Sequence, residues 1–117
     1  MSSRAEREAK GRRGEWLAAW YLRLKGWRIL AQRIKTPRGE IDLVARRGGM
    51  VAFVEVKWRA KASERDLAID AYRLRRVAAA AEAVSARYLK VGDDMRVDVI
   101  LLAPGHLPRH IVNAWMP

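Results

Sequence analysis

From Gly14 onward, Leu17, Trp20, Tyr21 and Leu24 recur at helical spacing and predict a helix with that stripe turned inward. Gly26 ends it, and Lys25 in the last turn suits the helix dipole. Upstream, Ser3-Arg4-Ala5-Glu6 has the form of a capping box, at a terminus expected to fray. "WRILAQRI" then predicts a first strand, and Thr36-Pro37-Arg38-Gly39 a turn. "GEIDLVARRGGMVAFVEVKWR", Gly39 to Arg59, reads as a hairpin of two apolar strands around Gly48-Gly49. Ser63-x-x-Asp66 is a cap-like start for a long helix with Leu74, Val77, Ala78, Ala81, Val84, Ser85 and Tyr88 as its buried stripe. Gly92-Asp93-Asp94 breaks that helix. "MRVDVILLA" predicts a fourth strand, Pro104 to Pro108 a loop, and "HIVNAW" a short final strand. The predicted order is αβββαβ with a short β tail. This is an α/β fold with a mixed sheet, in a single domain spanning residues 1–117.

The hairpin carries charge where a sheet rarely accepts it. With Gly48-Gly49 as the centre of a type I′ turn, Arg47 pairs with Met50. Asp42 then lies opposite Glu55, and Glu40 opposite Lys57. Alternation puts all four on one face and Ile41, Leu43, Val54, Val56 and Trp58 on the other. Like charges directly opposed are destabilising, and a divalent cation reverses that penalty because carboxylates are hard oxygen ligands. Lys57 points to the same side as Glu55 and can hold a phosphate oxygen or a hydroxide. Together these groups suit metal-assisted hydrolysis of a phosphodiester. The alternative is a solvated face with Glu40 paired to Lys57. That explains Glu40 and Lys57 well, and Asp42 opposite Glu55 badly. A one-residue register slip would dissolve the argument.

Composition narrows the partners. Among 117 residues there are 24 Lys and Arg against 13 Asp and Glu, a net charge of +11. Such a field attracts polyanions, nucleic acid first and an anionic membrane surface second. With no cysteine, disulfides and thiolate metal sites are excluded. His106 and His110 lie beyond Pro104 and around Pro108, which argues against a helical zinc pair. No secretory signal or spanning segment is legible, so a cytoplasmic location is expected.

Asp42, followed after the hairpin by Glu55-x-Lys57, resembles the signature of the PD-(D/E)xK, or restriction-endonuclease-like, nucleases. The wider pattern is similar to the YraN family of small bacterial proteins, whose fold resembles archaeal Holliday junction resolvases. The matching stretches are "GRRGEWLAAWYLRLKGWRIL", "RGEIDLVA", "FVEVKWR", "RVDVI" and "HIVNAW". The resemblance implies an αβββαβ core with a mixed central sheet flanked by helices, and a Mg²⁺- or Mn²⁺-dependent endonuclease acting on branched or structured DNA. It makes Asp42 and Glu55 metal ligands, with the Val56 carbonyl as a third and Glu15 as an additional acid from the first helix. Lys57 would orient the attacking water and steady transition-state charge. It also implies a two-fold homodimer. Two positions depart from the family. Gln32-Arg33-Ile34 replaces a usual Arg-Asn-Tyr run, and Arg73 stands where the family tends to place a lysine. If that lysine is catalytic, Arg73 does not replace it; if it grips phosphate, Arg73 serves as well.

The remaining basic residues read as grip. Arg12 and Arg13 precede Glu15, Arg59 extends the strand of Glu55, and Arg73 and Arg76 share a helical face away from the apolar stripe. Of the five tryptophans, Trp16, Trp20 and Trp27 keep apolar company and are expected in the core, as is Trp58. Asp98, among Val97, Val99 and Ile100, reads as a structural, hydrogen-bonded acid. Two other readings stay open. One is a non-catalytic nucleic-acid-binding protein that retains the nuclease fold. The other is a basic module docking on a membrane surface or an acidic protein.

Overall fold

Helix α1 (Arg4–Leu24) starts where the capping box predicts, with the Ser3 hydroxyl accepting from the Glu6 N–H at 3.1 Å. It ends at Gly26, whose φ of 90° only glycine adopts freely. The Gly26 and Trp27 N–H groups donate back to the Arg23 and Leu22 carbonyls at 3.0 and 2.9 Å, a Schellman closure. The computed structural model describes residues 3–59 and 71–115. After α1 come β1 (Arg28–Thr36), β2 (Gly39–Arg47), β3 (Met50–Trp58), α2 (Ala71–Tyr88), β4 (Asp94–Leu102) and β5 (Arg109–Ile111). The cap-like start at Ser63 and Asp66 lies outside the described residues.

The five strands lie side by side in chain order. β1–β2, β2–β3 and β4–β5 pair antiparallel, while β3–β4 is parallel with α2 as its crossover. The mixed α/β sheet that the apolar pattern predicts is therefore present. Between β1 and β2 the Thr36 hydroxyl accepts from the Arg38 and Gly39 N–H groups, both at 3.1 Å. At the β2–β3 turn only Gly48 has a positive φ (61°), so the turn has the pattern of type II′ rather than the expected I′. Both are two-residue loops, so the predicted register, Arg47 opposite Met50, holds.

Each helix covers one face of the sheet. On one side Val44, Val51, Phe53, Val97 and Val99 pack against Leu74, Val77, Ala80, Ala81 and Val84 of α2. That is nearly the predicted stripe, with Ser85 and Tyr88 half-buried at its end. On the other side Leu43, Ala45, Ala52, Val54, Ile100 and Leu102 meet Ala18, Ala19, Leu22 and Trp27.

Here α1 overturns an expectation. Trp16, Trp20 and Leu24 are 58, 47 and 82 % exposed, while the buried face is Gly14, Ala18, Ala19 and Leu22. Close approach selects small residues: a Cβ on Gly14 would run into the Trp58 indole and come within 3.3 Å of Leu102 Cδ1. Trp58 is half-buried in this seam, and its Nε1 donates to the Lys10 carbonyl at 2.9 Å. Trp27 is in the core as expected.

Asp98 has the structural role expected of it. Fully buried, it accepts from Arg96 Nε (3.0 Å), His110 Nε2 (2.7 Å) and the Asn113 N–H (2.9 Å). Burial disfavours the carboxylate, but the bonds from His110, Asn113 and Arg96 outweigh it and hold Asp98 below its usual range. The final strand is shorter than "HIVNAW", because Asn113 takes a φ of 52° and turns the chain so that Ala114 N–H reaches the Val97 carbonyl.

The α1 seam gives a paired stability test. Gly14→Ala should destabilise by roughly 1–3 kcal/mol through overpacking, although alanine is the better helix former. Gly11→Ala, with nothing within 4 Å of its added Cβ, should be neutral or stabilise by up to about 1 kcal/mol. Urea denaturation followed by circular dichroism separates the two; equal effects would place α1 elsewhere.

Candidate functional site

The β2–β3 ladder runs from Arg47–Met50 to Leu43–Val54 and stops one level short of Asp42 and Glu55. There the Asp42 Oδ2 accepts the Val56 N–H at 2.7 Å, so a side chain takes the donor that a continuing ladder would have used. The strands fork, and Asp42 and Glu55 border the same cleft, near enough for the charge of Glu55 to act on Asp42.

β1 is irregular at the same level. Gln32 pairs with Leu43 and Ile34 with Ile41, with Arg33 and Asp42 unpaired between them. Arg33 has a φ of 54°, a left-handed conformation uncommon for a side chain of this size. Its Nε meets Glu15 Oε1 of α1 at 2.8 Å. Strict alternation also fails here: Ile41 packs on the α2 side and Leu43 on the α1 side. The break at Arg33 and Asp42 turns the strand over. Nor do Glu40 and Lys57 form an ion pair among the described residues; Glu40 is exposed and borders both clefts described below.

Glu55, 7 % exposed, is gripped by Arg73 of α2, Nη2 to Oε1 at 3.1 Å. Burial raises its pKa, opposed by Arg73, Lys57 and the hydrogen bond with Asp42. Burial raises Asp42 further, to about 7, with the charge of Glu55 adding to it and the Val56 N–H opposing. Lys57 is pushed down by burial and then by Arg73, with Glu55 holding it up. The three groups named from the sequence thus form one electrostatically coupled set.

Two clefts open from the fork, one on each side of the sheet. The α2-side cleft, 420 Å³, is bordered by Glu40, Asp42, Glu55, Tyr72, Arg73 and Arg76. The α1-side cleft, 390 Å³, is bordered by Arg12, Glu15, Arg33, Lys35, Glu40 and Asp42 among others. Asp42 belongs to both. Arg59 lies close enough to lower the Lys57 pKa, whereas Arg13 borders neither cleft. Glu15 reaches the site but is held by Arg33, and no group of three acids or histidines is arranged to hold a metal among the described residues. A 560 Å³ cleft at the β4 end of α2 is larger, but Glu82 is the one carboxylate on its wall.

Arg33, Lys35 and Tyr72 were not legible as site residues. For Arg33 a signal existed: the resemblance sets an asparagine at this place, and asparagine is enriched at positive φ.

The sequence pattern described as "Uncharacterised protein family UPF0102" matches residues 14–102, from the buried Gly14 to the end of β4. The chain belongs to this family. A UPF0102 protein of Sphingopyxis alaskensis is 63 % identical over 115 residues, covering 98 % of this chain and 99 % of the relative. One of Erythrobacter litoralis is 68 % identical over 110 residues, covering 94 and 95 %. A third, of Rhizorhabdus wittichii, is 56 % identical over 115 residues, covering 98 % of each. The matched span takes in Glu15, Arg33, Asp42, Glu55, Lys57 and Arg73.

Asp42 gives a metal-free test. Its folded pKa of about 7 lies above the unfolded value of about 4. It therefore contributes stability that is fully present below about pH 4 and is lost as pH rises toward 7. In EDTA, the melting temperature of wild type minus that of Asp42→Asn should fall steadily across that window. A flat difference would make Asp42 an ordinary solvated carboxylate, and a climbing one a carboxylate whose charged form the fold favours; either would overturn the raised pKa.

Proposed function

We propose that this protein is a divalent-metal-dependent endonuclease acting on structured or branched DNA. The observation that supports it most directly is the fork. Two carboxyl groups meet at a point where the strands part, Lys57 stands two residues beyond, and clefts edged by Arg12, Arg33, Arg73 and Arg76 lead in from both faces. Arg73 offsets the charge of Glu55 from one side, and the burial that raises Asp42 leaves room for a second cation to favour its ionised form.

The donor set fits Mg²⁺ or Mn²⁺, hard ions that take oxygen ligands. Asp42 and Glu55 would hold the ion, with the Val56 carbonyl; Glu15 could join by leaving Arg33. When bound, the ion would supply positive charge for the phosphoryl oxygens and acidify the attacking water. Lys57, which desolvation already destabilises as a cation, positions that water and meets the charge growing on phosphorus. Arg73 keeps the Glu55 carboxylate in place, which gives the arginine a positioning role where the family tends to have lysine. Arg12, Arg59 and Arg76 hold phosphates to either side.

The second reading, a nucleic-acid-binding protein that retains the nuclease fold without turnover, draws on the two acids engaged by arginine, Glu15 by Arg33 and Glu55 by Arg73. Labelled junction, flap, single-stranded and duplex DNAs with Mg²⁺, Mn²⁺ or EDTA decide between them. Cleavage should need metal, and Asp42→Asn, Glu55→Gln and Lys57→Ala should each cost orders of magnitude with binding nearly intact. Pairs of these substitutions should be hardly worse than singles. Absence of cleavage across the panel, or full activity in the variants, favours the second reading.

Binding has its own test. Arg76→Ala, which leaves the Arg73–Glu55 pair intact, should weaken DNA binding alike for all sequences and flatten the dependence of log K on log salt. Wild-type affinity and slope in that variant would rule out the α2 surface.

A further inference from the structure

α1 turns an unexpected face to solvent. Trp16 and Trp20 are 58 and 47 % exposed, their ring centroids 6.2 Å apart and their planes at 69°. Neither belongs to the core clusters on either side of the sheet. Arginines interleave with them. Arg12 stands one turn before Trp16, Arg13 three residues before it, and Arg23 three residues after Trp20 with its guanidinium 5.5 Å from the Trp20 ring centroid. Between Arg12 and Lys25 the helix has one carboxylate, Glu15, which turns to Arg33 on β1. From Arg12 onward the exposed face is therefore aromatic and positive, and Glu8, one turn before Arg12, is paired with Arg4 at 3.2 Å.

We propose that this face is a stacking platform for the unpaired bases of a single-stranded nucleic acid. Trp16 and Trp20 take the bases, while Arg12, Arg13 and Arg23 take the phosphates. Any nucleobase has a face that stacks on an indole, so such a surface binds single strands with little regard to sequence. Charge complementarity selects this occupant: the chain carries a net +11, and the arginines beside the rings match a polyanion. A second copy fits poorly, because two-fold pairing of this face would set arginines against arginines. Continuity with the fork points the same way. Arg12 also borders the α1-side cleft that holds Asp42, so a strand leaving that cleft meets Arg12 and then Trp16 one turn further along the helix. Resting on the nuclease reading, the platform gives its substrate a class: DNA with an unpaired strand next to the scissile phosphate.

The test uses the full chain in EDTA, so that binding is read without hydrolysis. Labelled oligo(dT), an abasic oligonucleotide of the same length and a blunt duplex are titrated by fluorescence anisotropy. Removing both rings, Trp16→Ala with Trp20→Ala, should weaken oligo(dT) binding by at least about tenfold. The loss should be several-fold smaller for the abasic strand and the duplex, whose bases cannot stack there. Trp16→Phe with Trp20→Phe should recover most of the affinity, which a change in charge or folding would not. Equal losses on all three ligands, or none on oligo(dT), would overturn the platform. So would sedimentation showing a wild-type dimer that the double alanine variant dissociates. A protein that cleaves nothing yet binds oligo(dT) through these rings keeps the platform and loses the nuclease reading; metal-dependent cleavage with ring-independent binding does the reverse.

Discussion

The bond from the Val56 N–H to the Asp42 carboxylate governs the working half of this sheet. A buried backbone donor needs a partner, and in a continuing hairpin it would find one across the ladder. Here a side chain answers it, so the ladder closes at Leu43–Val54 and the strands separate beyond. Separation admits both helices to one place: α2 reaches Glu55 through Arg73 on one side, and α1 reaches Arg33 through Glu15 on the other. A hairpin paired to its end would give neither cleft a way to Asp42.

Such an opening costs stability. Arg33 sits in a strained backbone region, and two carboxyl groups share a low-dielectric site. The surrounding structure holds the geometry with bonds that reach across elements. Arg46 joins the Asp93 carboxylate at 2.5 Å and the Tyr88 carbonyl at 2.9 Å, tying β2 to the end of α2 and the turn into β4. Arg46 is the main reason Asp93 is held down, to about 2. At the other edge Asp98 gathers β4, β5 and the turn at Asn113. Asp93 and Asp98, far from the fork, are thus held by cations, while at the fork Arg73 engages Glu55 and Asp42 is held by the Val56 N–H.

How much of this was legible depends on what carries the information. The hairpin register follows from a two-residue loop and alternation, and it survives the change from type I′ to II′ because loop length, not turn type, sets the pairing. Hence the placing of Asp42 and Glu55 at one level, bordering one cleft, could be counted from the sequence. The fork itself could not: nothing in "GEIDLVA" says that Asp42 bonds a backbone N–H instead of pointing to solvent. The face of α1 was misread for a different reason. Hydrophobic periodicity weighs large residues, and Trp16, Trp20 and Leu24 outvote Gly14, Ala18 and Ala19. Distance to the sheet reverses that vote, since at Gly14 α1 lies so near Trp58 that no side chain fits. Small residues on a helix facing a covered sheet deserve the same weight as large ones.

Charge arrangement connects the fork with the open face of α1. With 24 basic residues and 13 acidic ones, at least eleven cations have no acid to neutralise them, and an evenly spread excess would say little about function. This excess is uneven. Several arginines are spent within the fold, Arg33 on Glu15, Arg46 on Asp93, Arg96 on Asp98, and Arg47 and Arg96 against the Trp27 ring. Others border the clefts that converge on Asp42, and Arg12 links one of those clefts to the open face of α1. A polyanion drawn to these arginines would bring its phosphates toward the fork, where repulsion from the charge of Glu55 disfavours an ionised Asp42. A cation arriving with it relieves that repulsion, so polyanion and metal would each strengthen the hold on the other at the fork.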